Sequence, residues 1–309
     1  MEYKVKLNPL KPFSRSVSII GVGATPFMYS IDDPETNGLC EGELFGYAAI
    51  EAMKDAGITA RDVDFFIHGQ AGPGWETTDG SPNMHVANWF GMKGKASVHH
   101  SQACCTGFVA LEQAVMYVAS GAYDMVLTGC MEMAYSLSIR DKPAFMRRLG
   151  TDDMFHDVLQ STIPKDYTRQ GQHAFTIGAE GWIGRYVSEN GLSDKQIDDV
   201  LCTLSISSRR AAALNPLGIS RDTYEEIAHG MGMKDANEFV RSKFNPRITR
   251  YMHVSNFEQR CDGAAALVVC PTEIAHRYTK RPVEVLGIGH SCLEAGTARL
   301  EKPATEAAY

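Results

Sequence analysis

The chain has 309 residues, 44% of them apolar and 22% charged, enough to build one large domain or two packed halves. A net charge of −7 argues against nucleic-acid binding, which needs a basic footprint. No long unbroken apolar run is present and the opening residues show no apolar signal core, so neither a membrane span nor a secretory leader is expected. The 8 cysteines include no C-x-x-C pair, and Cys130, Cys202 and Cys270 lie within apolar runs. Reduced thiols in a cytoplasmic protein are therefore expected, with neither disulfides nor a metal site.

In chain order, residues 17–23 form a β-branched run ended by glycines and are predicted to be a buried strand. Residues 42–56 place Leu44, Phe45, Ala48, Ala49 and Met53 on one side of a helix that Gly57 closes. A second strand is predicted over 64–68, followed by a Gly/Pro-rich loop over 69–80. Ser81-Pro82 opens a helix reaching Phe90. A short strand over 96–100, a strongly apolar helix over 107–119 and a buried strand over 125–128 complete the alternation. Repeated strand–helix alternation predicts an α/β fold with a mainly parallel sheet under helices. From residue 135 to 250 only helical patterns remain, over 175–189, 193–214, 222–230 and 236–244. The sheet resumes at 263–269 and 283–289.

The segment Ser101-Gln102-Ala103-Cys104-Cys105-Thr106-Gly107 joins a strand to the 107–119 helix. A thiol at a helix start meets unpaired N–H groups and the positive end of the dipole, both of which favour the nucleophilic thiolate. The other reading of Cys104 and Cys105 is as small buried apolar residues.

This segment resembles the nucleophile loop of the thiolase superfamily, in which a Cys, a small residue, Ser or Thr and then Gly open a central helix. Cys104-Cys105-Thr106-Gly107 fits, which puts Cys104 rather than Cys105 at the nucleophile position. Four further stretches agree in family order: residues 18–27 with the first strand and turn, Gly80-Ser-Pro-Asn83 with a helix-opening turn, residues 208–216 with the helix ending in Asn-Pro of sterol-carrier-type thiolases, and residues 261–266 with the Asp-Gly-Ala-Ala return to the sheet. The resemblance covers essentially the whole chain. It implies a thiolase-like layered helix/sheet fold with a mainly parallel five-stranded sheet and a helical insertion. The first part of an N-terminal half would span 1–134, a helical insertion 135–250, a return strand 251–280 and the start of a second half 281–309.

The resemblance also implies a CoA-dependent enzyme. The Cys104 thiolate would attack the keto carbon of a 3-oxoacyl-CoA, hold the acyl group after Cα–Cβ cleavage and pass it to free CoA, with the Claisen condensation as the reverse reaction. Coenzyme A would be a co-substrate, with no tightly bound cofactor. The partners implied are a second copy of the chain and a small OB-fold, zinc-ribbon subunit. An aromatic acyl-CoA substrate would suit the large subunit of a benzoylsuccinyl-CoA-type thiolase. Two alternatives share the fold: a retro-aldol lyase acting on a side-chain acyl-CoA, whose relatives lack the cysteine, and a non-catalytic scaffold subunit.

Thiolases place a catalytic His and a second Cys in Gly-rich loops of their last quarter, and no Gly-His-Pro or Cys-Gly-Gly motif occurs here. A truncated chain, or a second chain carrying those groups, is therefore expected. Cys292 does not match the second-Cys motif and is read as structural. His99 and His100 adjoin the nucleophile loop, and only one of two neighbouring strand residues can face it. Arg169, His173, Arg209 and Arg210 lie in the insertion, where relatives bind CoA; they are candidates for its phosphates, or else a solvated helix face. Trp75 is read as a packing or dimer-interface residue and Glu132 as a helix-start or interface residue.

Overall fold

The computed structural model describes residues 14–70, 82–102, 104–140, 174–257 and 259–290. Contacts divide the chain into two compact units. Within the described residues, one contains 14–140 and 261–290, and the other 174–257 with 259–260. Among the described residues no helix is long and apolar enough to cross a membrane.

The first unit is a six-stranded sheet between helices. Its strands are β1 (Val17–Ala24), β2 (Phe65–Gly69), β3 (Ala96–His100), β4 (Val126–Met133), β5 (Asp262–Pro271) and β6 (Val283–Glu284), in the order β3-β2-β4-β5-β1-β6. Helix α1 (Glu41–Asp55) covers one face. Its Leu44, Phe45, Ala48, Ala49 and Ala52 are fully buried in a core with Ile20, Phe66, Leu127, Ala266 and Val268. Helix α3 (Thr106–Ala119) lies on the other, where Ala110, Ala114, Val115 and Val118 pack on Val17, Phe65, Ile67, Val126 and Val269. Period-2 alternation along β2 and β4 divides these side chains between the faces. Glycines let α1 approach β1 closely: a Cβ at Gly21 would stand 2.3 Å from the Ala52 carbonyl oxygen, and one at Gly23 2.2 Å from that of Ala48.

The expectation of a mainly parallel five-stranded sheet needs correction. Among the described residues six strands are present; β2 pairs parallel with β3 and β4, whereas β5 runs antiparallel to both β4 and β1, and β6 antiparallel to β1. The run of strands β1 to β4 points one way, as the βα alternation requires. An apolar run such as Gly263 to Val269 carries no directional signal. After the long helical excursion it inserts between β4 and β1 in the opposite sense. The expected strand over 283–289 is only Val283–Glu284, and the helix opened by Pro82 ends at Ala87. A short helix, α2, thus spans Pro82–Ala87, and α4 spans Ala134–Arg140.

The second unit is helical. It contains α5 (Ala174–Glu189), α6 (Asp194–Ala213), α7 (Tyr224–Gly230) and α8 (Ala236–Val240). Ser193 and Gln196 form a capping box at the start of α6, and Thr223 and Glu226 form another at α7, satisfying N–H groups that the first turn leaves open. Cys202, Ile206, Ala236 and Val240 make one small core, and Val187, Ile197 and Tyr251 another. The unit runs past residue 250 because Tyr251 and His253 are anchored in it. The last helix among the described residues, α9 (Thr272–Ala275), follows β5 in the first unit.

Candidate active site

The parallel strands β2, β3 and β4 end together at their carboxyl edge, the side of an α/β sheet where ligands bind. The turn from β3 into α3 lies there. Both Cys104 and Cys105 are exposed. Cys105 occupies the N-cap of α3 and its side chain caps no N–H group. The first-turn donors of α3 therefore carry the positive end of a 14-residue helix without a side-chain acceptor at the cap.

Hydrogen bonds seat this turn. The Cys105 amide donates to the Gln102 carbonyl at 3.1 Å. The Gln102 amide donates to Thr106 Oγ1 at 2.8 Å, and the Thr106 hydroxyl donates to the Gln70 carbonyl at 3.2 Å. Gln70 is itself held twice: its amide donates to the His100 carbonyl at 3.2 Å, and its Nε2 donates to Glu41 Oε2 at 2.8 Å in a buried contact. The helix start is thus stitched to the ends of β2 and β3 and, through Gln70, to the first residue of α1. The close approach occurs at Gly69, not Gly107. A Cβ on Gly69 would lie 2.4 Å from Thr106 Cγ2 and 2.7 Å from the His100 carbonyl, whereas one on Gly107 would meet Cys130 Sγ at an ordinary 3.8 Å.

Cys130 lies beneath the helix start on β4. Burial first, then the charge of Glu132, pushes its thiol up to about 12, which makes it unreactive at neutral pH. Burial likewise pushes Cys270 up to about 12 and raises Cys202 and Cys261.

The two histidines divide as strand geometry requires. His99 turns to the α1 face, its ring centroid 5.0 Å from that of the fully buried His68. His100 turns to the α3 face, where Nε2 hydrogen-bonds with Gln113 Oε1. Arg209 and Arg210 are braces of the helical unit. Arg209 donates to the Asp222 carbonyl at 2.6 Å and Ser220 Oγ at 2.8 Å and lies over the Tyr224 ring, while Arg210 pairs with Glu225 through Nε at 2.9 Å. Glu132 belongs to β4, opposite Gly263, before α4 begins. Arg169, His173, Trp75 and Cys292 lie outside the described residues.

Two residues of this neighbourhood, Glu41 and Gln70, escape the sequence reading, and a third, Asp262, is read there only as part of the Asp-Gly-Ala-Ala segment. Glu41 and Gln70 are polar yet 3% and 2% exposed. Asp262 is fully buried and gathers donors from three places: the Ser30 amide at 3.2 Å and the Tyr135 and Ser136 amides at 3.0 and 3.1 Å. It fixes the start of α4 to β5 and to the turn after β1. In the helical unit, Asp198, Cys202 and His253 bring ligand atoms within 4.8 Å of one another. There Asp198 Oδ1 already accepts from Arg247 at 2.5 Å and lies 2.9 Å from His253 Nε2, and His253 Nδ1 lies 2.9 Å from the Asn245 carbonyl. These bonds tie the 245–253 loop to α6.

A three-layer α/β/α unit with an exposed cysteine at the start of a helix packed on the sheet is the arrangement of a thiolase-like fold. No family model matches the chain. Among curated proteins it is 24% identical over 273 residues to the acetyl-CoA acetyltransferase of Methanothermobacter thermautotrophicus, covering 88% of the chain and 61% of the relative. It is 26% identical over 269 residues to that of Methanocaldococcus jannaschii, covering 86% and 58%. The chain therefore spans about three-fifths of the length of these relatives. Among solved structures it is similar to an Ltp2-ChsH2(DUF35) aldolase, with TM-score 0.61 and 23% identity over 94% of this chain and 65% of that one. It also resembles a monomeric SCP2-thiolase-like protein of Mycobacterium smegmatis, with TM-score 0.58, 18% identity and coverages of 89% and 51%. Human mitochondrial 3-ketoacyl-CoA thiolase gives TM-score 0.57 and 15% identity, with coverages of 90% and 71%. Together these matches agree on a thiolase-like fold for the chain.

Proposed function

We propose that this chain performs the covalent step of a CoA-dependent thiolase, with Cys104 as the nucleophile. The observation that carries the reading is the exposed Cys104 in the turn that opens α3, beside a helix start whose N-cap side chain makes no cap. The Cys104 sulfur attacks the keto carbon of a 3-oxoacyl-CoA. The Cα–Cβ bond breaks, its electron pair leaves with the CoA-bearing Cα fragment as an enolate that takes up a proton, and the acyl group from the keto carbon onward stays on sulfur as a thioester. Free CoA then attacks that thioester and releases the cysteine. Cys105 follows on the helix side, and Cys130 is silenced by its burial. Coenzyme A and acyl-CoA are the proposed partners in solution, with an aromatic acyl group as the finer assignment, in the cytoplasm.

The test is mass spectrometry of the intact chain after incubation with a 3-oxoacyl-CoA. An acyl mass increase mapped to Cys104, removed by added CoA and lost in Cys104→Ala, supports thiolysis; acylation elsewhere refutes it. A second reading, retro-aldol cleavage, is favoured by the similarity to the Ltp2-ChsH2(DUF35) aldolase. It requires cleavage of a side-chain β-hydroxyacyl-CoA that survives Cys104→Ala. The same similarity, to a complex that includes a DUF35 member, supports a partner subunit for this chain; the small OB-fold, zinc-ribbon type is the finer proposal, testable by co-purification with a co-expressed subunit of that type. Homodimerisation is proposed as well. Strand β3 forms one edge of the sheet, and a second copy pairing there would extend it; light scattering that gives one chain mass refutes this.

A further inference from the structure

We propose that Glu41 is a positioning residue for the nucleophile turn, acting on Cys104 through Gln70 and Thr106. The proposal rests on the nucleophile reading above and adds to it a group distant in sequence that holds the turn in place. Glu41 is the first residue of α1 and only 3% of it is exposed. Carboxylates are rarely buried unless they have bonding work to do. Here the carboxylate accepts from the Gln70 side-chain amide, 2.8 Å away and equally buried. Gln70 is the first residue past β2, and nothing in the strand ladder fixes its side chain. Glu41 does so, and the main chain of Gln70 then presents its carbonyl to Thr106.

Thr106 transmits that placement to the turn. Its hydroxyl donates to the Gln70 carbonyl and accepts from the Gln102 amide, so one oxygen joins the strand end to the first residue of the turn. A threonine hydroxyl commonly accepts from N–H groups ahead of it in the helix as an N-cap. Here it reaches backward instead, to residue 102, and closes the loop that carries Cys104. Gly69 leaves no room for this contact to slip, because Thr106 Cγ2 already occupies the space a Cβ would need. The chain of contacts from Glu41 to Gln102 therefore sets where the Cys104 sulfur stands relative to the open N–H groups of α3. That distance governs how strongly the helix start stabilises a thiolate.

The test is the pH profile of Cys104 alkylation by iodoacetamide in the intact chain, with the modified residue located by peptide mass spectrometry. Glu41→Ala and Thr106→Val are expected to move the midpoint of the profile upward by about one pH unit, which slows alkylation at neutral pH about tenfold. Glu41→Gln keeps an acceptor for the Gln70 amide, and Thr106→Ser keeps the hydroxyl; both are expected to retain the wild-type midpoint. A general loosening of the fold lowers melting temperatures without sorting the variants in this way. If Glu41→Ala does not fold, Gln70→Met replaces it, removing the amide while keeping the main-chain bonds, with the same upward shift expected. If Thr106→Val does not fold, the Glu41 pair decides. Unchanged midpoints in Glu41→Ala or Gln70→Met, with Cys104 still the labelled residue, overturn the positioning role and leave the nucleophile reading intact. A wild-type chain in which another thiol is labelled first overturns the nucleophile reading, and this proposal with it.

Discussion

Replacing Asp262 tests the polar joint that connects β5, the turn after β1 and α4. Its Oδ1 accepts the Tyr135 and Ser136 amides, and its Oδ2 accepts the Ser30 amide and the Ser30 and Ser136 hydroxyls. In Asp262→Ala the two hydroxyls keep each other as partners, since they already lie 2.8 Å apart. The three amides do not, and each buried donor left without an acceptor costs about 1–3 kcal/mol, so a loss of about 3–6 kcal/mol is expected after partial relaxation. That is a large part of the roughly 5–15 kcal/mol that holds a domain folded. Asp262→Asn behaves differently. Its oxygen can face Tyr135 and Ser136 while its NH₂ donates to the serine hydroxyls, which leaves only the Ser30 amide unpaired, at about 1–3 kcal/mol. Urea unfolding followed by circular dichroism gives the size of the loss, and hydrogen exchange locates it. Protection should fall at residues 28–36 and 134–140 before it falls in α1. If Asp262→Ala costs less than about 1 kcal/mol, or if Asn proves worse than Ala, the accounting of unpaired amides is wrong.

Gly69→Ala should destabilise the first unit by about 1–3 kcal/mol and slow Cys104 alkylation, because the new methyl group meets Thr106 and the His100 carbonyl; Gly107→Ala, with only an ordinary contact to Cys130 Sγ, should cost well under this in the same urea assay. Thiol mapping at pH 8 should leave Cys130 unmodified in native protein, since a thiol pushed up to about 12 is ionised in only about one molecule in ten thousand, and strong labelling there would contradict its burial. Burial acts to raise the Asp198 carboxyl, but the His253 bond and the Arg247 charge outweigh it and hold the carboxyl below its ordinary value. The carboxylate therefore contributes stability that is complete above about pH 4 and is lost as pH falls through the lowered folded value. Asp198→Asn should flatten the acid limb of urea stability for the helical unit, and an unchanged limb would show that this carboxylate does not set it.

The fold was readable in the sequence wherever one chain segment supplied its own signal. Apolar spacing located α1 and α3, Ser193 with Gln196 marked the start of α6, and strand–helix alternation gave the common direction of β1 to β4. Strand pairing was not readable, because it depends on where a chain returns after a long excursion. Gly263 to Val269 is equally apolar in either direction. Its antiparallel place between β4 and β1 is decided by the register of Cys130 with Ala265 and of Val22 with Leu267, partners far apart along the chain.

The candidate site shows the same division more sharply. Cys104 stands out because a thiol before an apolar helix is a local pattern, and His99 and His100 could be assigned to opposite faces from strand geometry alone. The groups that hold the turn have no local signature. Glu41 reads as an ordinary acidic residue in the first turn of a helix, where a negative charge is favoured anyway. Gln70 falls at the edge of a Gly/Pro-rich stretch that looks like loop. Only when β2, β3 and α1 converge do the two become buried, and a pair 29 residues apart and a pair 36 residues apart then meet at Gln70. Burial turns these residues from solvent-compatible into mutually dependent, since each now lacks water as a substitute partner. In this unit the proposed nucleophile is a local feature of the chain, while its precise placement is a property of the whole sheet.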